Sequence, residues 1–123
     1  MKRLDTLTKA EMQVMNALWD LPDGGCIHEI IALYPEPKPA YTTISTFLKI
    51  LHSKGFVEYK KLKGKTYTYY PIVSRSEYTS TVMKDVKNSF FGGSVSSMVK
   101  FFVEKEEISE KDIKELLDMI KKQ

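Results

Sequence analysis

From Tyr41 to Val73 the chain carries a pattern that few folds accommodate: an amphipathic helix, a glycine stop and a basic two-stranded hairpin. Ile44, Phe47, Leu48 and Leu51 fall at i, i+3, i+4 and i+7, one apolar stripe at a helical period. Thr42, Ser45, Thr46, Lys49 and Ser53 take the opposite face, and side chains of this size let a helix backbone come close to another surface. Gly55 ends the helix, because the residue after the last turn often adopts the left-handed conformation that glycine takes without strain. Phe56–Leu62 and Thr66–Tyr70 are rich in aromatic and β-branched residues, which predicts two strands, and Lys63-Gly64-Lys65 between them suits a tight turn.

Charge gives this unit a partner. Seven lysines against the single acid Glu58 lie between Lys38 and Lys65, so a chain of net charge +3 carries about double that charge on one helix and hairpin. The unit fits double-stranded DNA, with the helix in the major groove and the hairpin, or wing, along phosphates. Candidate contacts are Thr42, Thr43, Ser45, Thr46 and Lys49 on the helix and Lys60, Lys61, Lys63 and Lys65 on the wing. Hydroxyls bond phosphates or base edges, and threonine methyls touch thymine methyls. Without an arginine on this helix, direct guanine readout is weak and DNA shape carries more of the specificity. Tyr67, Tyr69 and Tyr70 are read as hairpin packing.

A length of 123 residues allows one domain, or a small domain with an appendage. The lone Cys26 forms no disulfide within the chain and no zinc cluster, so a reducing cytoplasm is the expected compartment and Cys26 is read as a small buried hydrophobe. His28 and His52 are far apart with no cysteine nearby, and no metal or other cofactor is expected. The segment after Met1-Lys2-Arg3-Leu4-Asp5 is polar and amphipathic where a leader would be apolar, and no run of about 18 apolar residues marks a membrane span. An enzyme is not expected, because no phosphate-cradling glycine loop, nucleophile motif or metal-ligand spacing is present.

In chain order, Leu7-Thr8-Lys9-Ala10-Glu11-Met12 is a helix start, with Thr8 and Glu11 as a capping box and Leu7 and Met12 as a hydrophobic staple. Met15, Leu18 and Trp19 form its stripe, and Leu21-Pro22-Asp23-Gly24-Gly25 breaks it. Cys26 to Tyr34 reads as a short second helix, or a short strand leading into one, closed by Pro35, Pro37 and Pro39. Val73-Ser74-Arg75-Ser76-Glu77-Tyr78 repeats the capping device and opens a long helix ended by Gly92-Gly93. Val95 to Val103 forms the next helix. Ser109 and Asp112 cap a last one, with Leu116, Leu117 and Ile120 as its stripe.

The charge divides with the architecture. Residues 1–73 hold ten basic and seven acidic side chains, whereas 74–123 hold nine of each. The expected fold is mainly α with a small β-hairpin wing: a winged helix-turn-helix DNA-binding domain over 1–73 and a three-helix dimerisation domain over 74–123. The last three helices carry more apolar surface than so small a unit buries alone, and a second copy of the chain is the simplest cover. Tyr78, Val82, Val86, Phe90, Val99, Phe102, Leu116 and Ile120 are the expected dimerisation residues.

Five strings in this order resemble the penicillinase and methicillin-resistance repressor family: Leu7-Thr8-Lys9-Ala10-Glu11 with Val14-Met15 and Leu18-Trp19; Thr43-Ile44-Ser45-Thr46; Lys54-Gly55-Phe56-Val57; Tyr69-Tyr70-Pro71-Ile72-Val73; and Phe102-Val103-Glu104-Lys105-Glu106. The resemblance implies a homodimeric winged-helix repressor of a palindromic operator in antibiotic-resistance or related sensor operons. It also implies relief when a membrane sensor responds to a β-lactam and the repressor is cut in its middle dimerisation helix. The chain departs from that family at three points. Phe101-Phe102 stands where the family's cut bond is typically Asn-Phe, so Phe101 and Phe102 mark the corresponding cleavage position. Ser45 and Ile50 replace typical basic residues of the recognition helix. The cysteine-rich tail of the related copper-responsive repressors is absent.

Two other readings remain open on the sequence. One is a protein-interaction adaptor whose helix and wing dock an acidic partner. The other is a repressor relieved by a small ligand in the dimer domain, without cleavage.

Overall fold

Four helix starts in this chain are written in Ser and Thr, and the computed structural model, which describes residues 6–61, 64 and 66–122, has each of them capped. In order, the elements are α1 (Lys9–Trp19), α2 (Ile27–Ala32), α3 (Tyr41–Ser53), β1 (Val57–Lys61), β2 (Tyr67–Pro71), α4 (Arg75–Phe91), α5 (Val95–Glu104) and α6 (Glu110–Lys121). At α1 the Glu11 amide donates to the Thr8 hydroxyl at 3.2 Å and the Thr8 amide donates to the Glu11 carboxylate at 2.8 Å. Ser74 with Glu77 and Ser109 with Asp112 repeat this reciprocal box at α4 and α6. Each box satisfies amides that the first helical turn leaves without partners.

The break after α1 is a close approach of two backbones. Gly25 and Tyr69 exchange both backbone hydrogen bonds, at 2.9 and 2.8 Å, and form a single bridge on the edge of β2. Of the two readings open for Cys26 to Tyr34, the structure has the short helix, from Ile27, and the one-residue bridge at Gly25 precedes that stretch. Gly24 has φ +80°, and a Cβ there would stand 2.5 Å from the Tyr69 carbonyl oxygen, so only glycine fits. After α2, the Lys38 ammonium turns back and donates to the carbonyls of Ile31, Ala32 and Tyr34 at 3.4, 3.2 and 2.7 Å. A cation on the orphan carbonyls closes a helix of only six residues.

The core of this part joins α1, α2, α3 and the base of the hairpin. Val14, Met15, Leu18, Ile30, Leu48, Leu51, Phe56 and Val57 are inaccessible to solvent and Ile44 almost so. Phe47, expected in the α3 stripe, lies at its edge and is half-buried, while Val14 joins the α1 stripe and Trp19 is half-buried. The indole N–H of Trp19 donates to the Val73 carbonyl at 3.0 Å, which ties the end of α1 to the end of the hairpin. The strands run one residue later than expected at three ends, since β1 starts at Val57 and β2 spans Tyr67–Pro71.

The chain divides into two compact units between Thr81 and Val82, inside α4. The first turn of α4 belongs to the core of the first unit through the buried Tyr78. In the second unit α5 and α6 follow the end of α4, and the Phe91 and Phe101 rings meet edge to face at 5.7 Å. None of the described residues of α5 or α6 is buried, and Phe90, Met119 and Ile120 are more than 60% exposed. Among the described residues no helix is long and apolar enough to cross a membrane.

Candidate nucleic-acid interface

α3 owes its orientation to both of its faces. Ile44, Leu48 and Leu51 are pinned in the core, which turns Thr42, Thr43, Thr46 and Lys49 to solvent. Ser45 lies on the flank and is half-buried. The end of the helix is fixed by two reverse hydrogen bonds, from the Phe56 amide to the Leu51 carbonyl at 2.9 Å and from the Gly55 amide to the His52 carbonyl at 3.1 Å. This is a Schellman closure, and it needs the left-handed φ of +84° that Gly55 supplies. Phe56 is thereby driven into the core and β1 starts at once, so the wing is held beside α3 by a three-residue connection, Lys54-Gly55-Phe56.

Within α3 the Thr46 hydroxyl donates to the Thr42 carbonyl at 2.9 Å. Its hydrogen is committed to the helix backbone, leaving the oxygen lone pairs and the methyl group for anything that approaches.

The wing is an antiparallel pair with Tyr59 opposite Tyr69, Lys60 opposite Thr68 and Lys61 opposite Tyr67. Consecutive strand residues point to opposite faces, so Lys60 and Lys61 diverge. Lys61 lies 5.9 Å from the centre of the Tyr67 ring, whereas Lys60 lies 5.9 Å from that of Tyr70. Lys63 and Lys65, expected at the tip, lie outside the described residues; Gly64 between them has φ +93°, the left-handed conformation of a tight turn.

On the face that turns toward α3, Tyr59 packs edge to face with Tyr67 at 5.4 Å and tilted against Tyr69 at 5.8 Å. His52, in the last turn of α3, stacks on Tyr59 at 5.2 Å. Between helix and wing they leave a groove of about 270 Å³, lined by Leu48, Lys49, His52, Tyr59, Tyr67 and Tyr69. Burial pushes the Tyr69 phenol up from its ordinary value, and the nearby phenols of Tyr41, Tyr59 and Tyr67 push it further. It stays a neutral O–H donor, suited to a phosphate oxygen. Glu58, the one acid of the lysine-rich stretch, is 2.9 Å from His52 Nε2, so its charge sits at the end of α3 instead of the wing tip.

The expected dimerisation residues do not all lie in one environment. Phe90, Val99, Phe102, Leu116 and Ile120 are exposed, and Val82 and Val86 are half-buried. Tyr78, expected with them, packs within the chain. It is 6% exposed, its ring packs against Phe56 at 5.6 Å and Trp19 at 6.2 Å, and its hydroxyl accepts the Leu7 amide. The turn of α4 that carries it belongs to the first unit. Phe101 and Phe102 are adjacent and exposed inside α5.

Among the described residues no three His, Cys, Asp or Glu side chains gather where a metal ion could be held. Cys26 is half-buried, and its amide donates to the Glu29 carboxylate at 3.0 Å, which lowers the Glu29 pKa. Sequence reasoning passed over Tyr59, the hub of the aromatic cluster, and named Ile50 only as a departure from the family, without placing it among the contacts; it is 38% exposed on the outward side of α3. Ile50 was legible: it stands two positions past Leu48 and one before Leu51, which at 100° per residue takes it off the apolar stripe.

Comparison with known proteins matches the sequence over nearly the whole chain. Residues 7–122 match the family described as penicillinase repressor. The chain is 33% identical over 118 residues to the methicillin resistance regulatory protein MecI of Staphylococcus aureus strain N315, covering 94% of each protein. It is 28% identical over 120 residues to the penicillinase repressor of Bacillus licheniformis, covering 98% of this chain and 93% of that protein. A penicillinase repressor of Staphylococcus aureus is 25% identical over 115 residues, 93% of this chain and 90% of the relative. With its capped helices, Schellman-closed α3 and hairpin wing all inside the matched span, the chain belongs to the penicillinase repressor family.

Proposed function

We propose that this protein is a cytoplasmic, homodimeric transcriptional repressor that binds a palindromic operator, with a winged-helix unit on DNA and the helices after residue 73 holding two copies together. The observation that carries the reading is the outward face of α3, where Thr42, Thr43, Thr46 and Lys49 are exposed beside a lysine-bearing wing on a chain of this family. α3 enters the major groove, and Lys61 and the tyrosine phenols meet the flanking phosphates. The dimer supplies the second half-site, and the exposed apolar faces of α5 and α6 supply the dimer. A surface with Phe102, Val103, Leu117 and Ile120 all more than a third exposed is costly in water and is covered by a two-fold copy of itself.

Relief of repression acts on that second unit. Severing or unfolding α5 anywhere near Phe101-Phe102 removes Val99 and Phe102 from the interface, and the half-sites are then bound singly. A membrane-anchored sensor with its protease is one source of such a cut, and the regulated genes are those of antibiotic resistance or a related sensor system, as the names of the relatives suggest.

The test is fluorescence anisotropy of the full chain on the DNA upstream of its own gene, at several salt concentrations, with scrambled duplex as control. Each phosphate neutralised contributes about 0.9 to the slope of log affinity against log salt. Selective binding with a slope of several units supports the repressor. Salt-insensitive or absent binding at low salt overturns it.

A further inference from the structure

Resting on the reading of α3 as the DNA-facing helix, we propose that α3 recognises its site mainly through thymine 5-methyl groups, contacted by an apolar row of Thr43, Thr46 and Ile50. The first support is the chemistry α3 lacks. Tyr41–Ser53 contains no Arg, Asn, Gln, Asp or Glu, the side chains that pair with guanine, adenine or cytosine edges in the major groove. Its single lysine, Lys49, borders the groove against the wing tyrosines, and His52 is engaged with Glu58 at 2.9 Å.

What remains outward is a row. Thr43, Thr46 and Ile50 stand at i, i+3 and i+7 and so share one strip of the helix surface. All three are exposed, Ile50 to 38%. Thr46 gives its hydroxyl hydrogen to the Thr42 carbonyl at 2.9 Å, so outward it offers a methyl and an acceptor but no donor. An adenine amino group could use that acceptor, but Ile50 beside it offers only hydrocarbon. The thymine methyl is the major-groove feature that an aliphatic strip complements, and cytosine, which lacks it, leaves the strip facing water.

Spacing agrees with this partner. At about 1.5 Å of rise per residue, Thr46 and Ile50 are about 6 Å apart along the axis, close to two base steps of about 3.4 Å. The row therefore spans thymines about two steps apart in one half-site, and a second copy repeats the contacts on the other.

The test starts from a duplex selected by the full-length protein out of a random pool. Each thymine is then replaced singly by deoxyuridine, which removes only the 5-methyl group. At two or more positions per half-site the substitution weakens binding about fourfold, the factor expected for one buried methyl-sized group. Ile50→Ala abolishes the uracil effect at one of these positions and leaves the others. Thr46→Ser, which keeps the hydroxyl and its backbone bond, abolishes it at another. Selective binding that is indifferent to uracil at every position overturns thymine readout while leaving the repressor intact. Failure to enrich any sequence overturns both.

Discussion

Leu7 and Tyr78 stand 71 positions apart in the chain and are joined by a buried hydrogen bond of 2.9 Å, from the Leu7 amide to the Tyr78 hydroxyl. The amide lies just before α1 and the hydroxyl in the first turn of α4, so the bond closes the winged-helix unit on itself from its first described residues to its last helix. Tyr78→Phe keeps the ring between Trp19 and Phe56 but leaves a buried amide without an acceptor, at a cost of about 1–2 kcal/mol. Urea unfolding followed through Trp19, the only tryptophan, reads the loss directly. Sedimentation of Tyr78→Phe should show the wild-type state of association. A weakened dimer with unchanged unfolding would return Tyr78 to the interface.

A second tie joins α1 to the end of α3. Glu11 is 3% exposed, and its carboxylate accepts from Lys54 Nζ at 2.8 Å and from the Thr8 amide. Burial alone raises its pKa, but the Lys54 hydrogen bond, the Thr8 bonds and the Lys54 charge outweigh burial and hold it below the ordinary value. A folded pKa below the unfolded one adds stability that is fully present above the unfolded pKa and lost as pH falls through the folded one. Stability should therefore drop below about pH 4, near the unfolded glutamate value. Glu11→Gln should lose about 1–3 kcal/mol at neutral pH and flatten that acid limb in urea titrations at several pH values. An unchanged acid limb in the variant would show that other carboxylates set it.

The divergence of Lys60 and Lys61 separates their roles on DNA. Lys61 shares the α3-facing side of the wing with Tyr59 and Tyr67, and Lys49 borders the same groove, whereas Lys60 turns to Tyr70. Lys49→Ala and Lys61→Ala should each reduce the salt slope of operator binding by about 0.9, the share of one neutralised phosphate. Lys60→Ala should reduce it less. Equal effects of Lys60→Ala and Lys61→Ala in anisotropy titrations would mean that the wing inserts edge-on, with phosphates on both sides.

The second unit makes a prediction of another kind. Phe102 is 37% exposed on α5, on an element with no buried residue of its own. Phe102→Asp should lower self-association at micromolar protein by at least an order of magnitude, since a carboxylate buried in an apolar contact costs several kcal/mol. The winged-helix unit, divided from it inside α4, should keep its unfolding transition. Sedimentation velocity with a full wild-type dimer for Phe102→Asp would remove α5 from the interface.

Helix ends were the most legible part of this chain, because Thr8 with Glu11, Ser74 with Glu77 and Ser109 with Asp112 are local devices that act within four residues. The α3 stripe was legible for the same reason, and so were the wing and the solvent face of α3. The Gly25–Tyr69 bridge was not, since a one-residue strand has no periodicity. Tyr78 sat on a perfect helical stripe with Val82, Val86 and Phe90, and period alone does not say which turn of a helix faces which body. Lys60 and Lys61 counted equally as charge, although strand alternation alone would have parted them. The groove under Tyr59 needed the register of the hairpin, which fixes Tyr59 against Tyr69.

Between α5 and α6 the backbone repeats the closure seen at Gly55 with the wrong residue. The Glu107 amide donates to the Phe102 carbonyl at 3.0 Å and the Glu106 amide to the Val103 carbonyl at 3.1 Å, the two bonds of a Schellman motif. The residue forced into the left-handed region is Glu106, with φ +59°, where its Cβ crowds the carbonyl oxygen at a cost of about 1–2 kcal/mol. Glu106→Gly removes that crowding and gives back part of the gain as added freedom of the unfolded chain, about 0.5–1 kcal/mol. The net expectation is a stabilisation of about 0.5–1 kcal/mol, seen as a higher midpoint in thermal unfolding. Gly55→Ala is the mirror experiment: a Cβ there meets no atom within 4 Å, so backbone strain acts against the reduced freedom of the unfolded chain, and the variant should lose about 0.5–1 kcal/mol. Destabilisation by Glu106→Gly would mean that the Glu106 carboxylate, and not its backbone, holds the turn before α6.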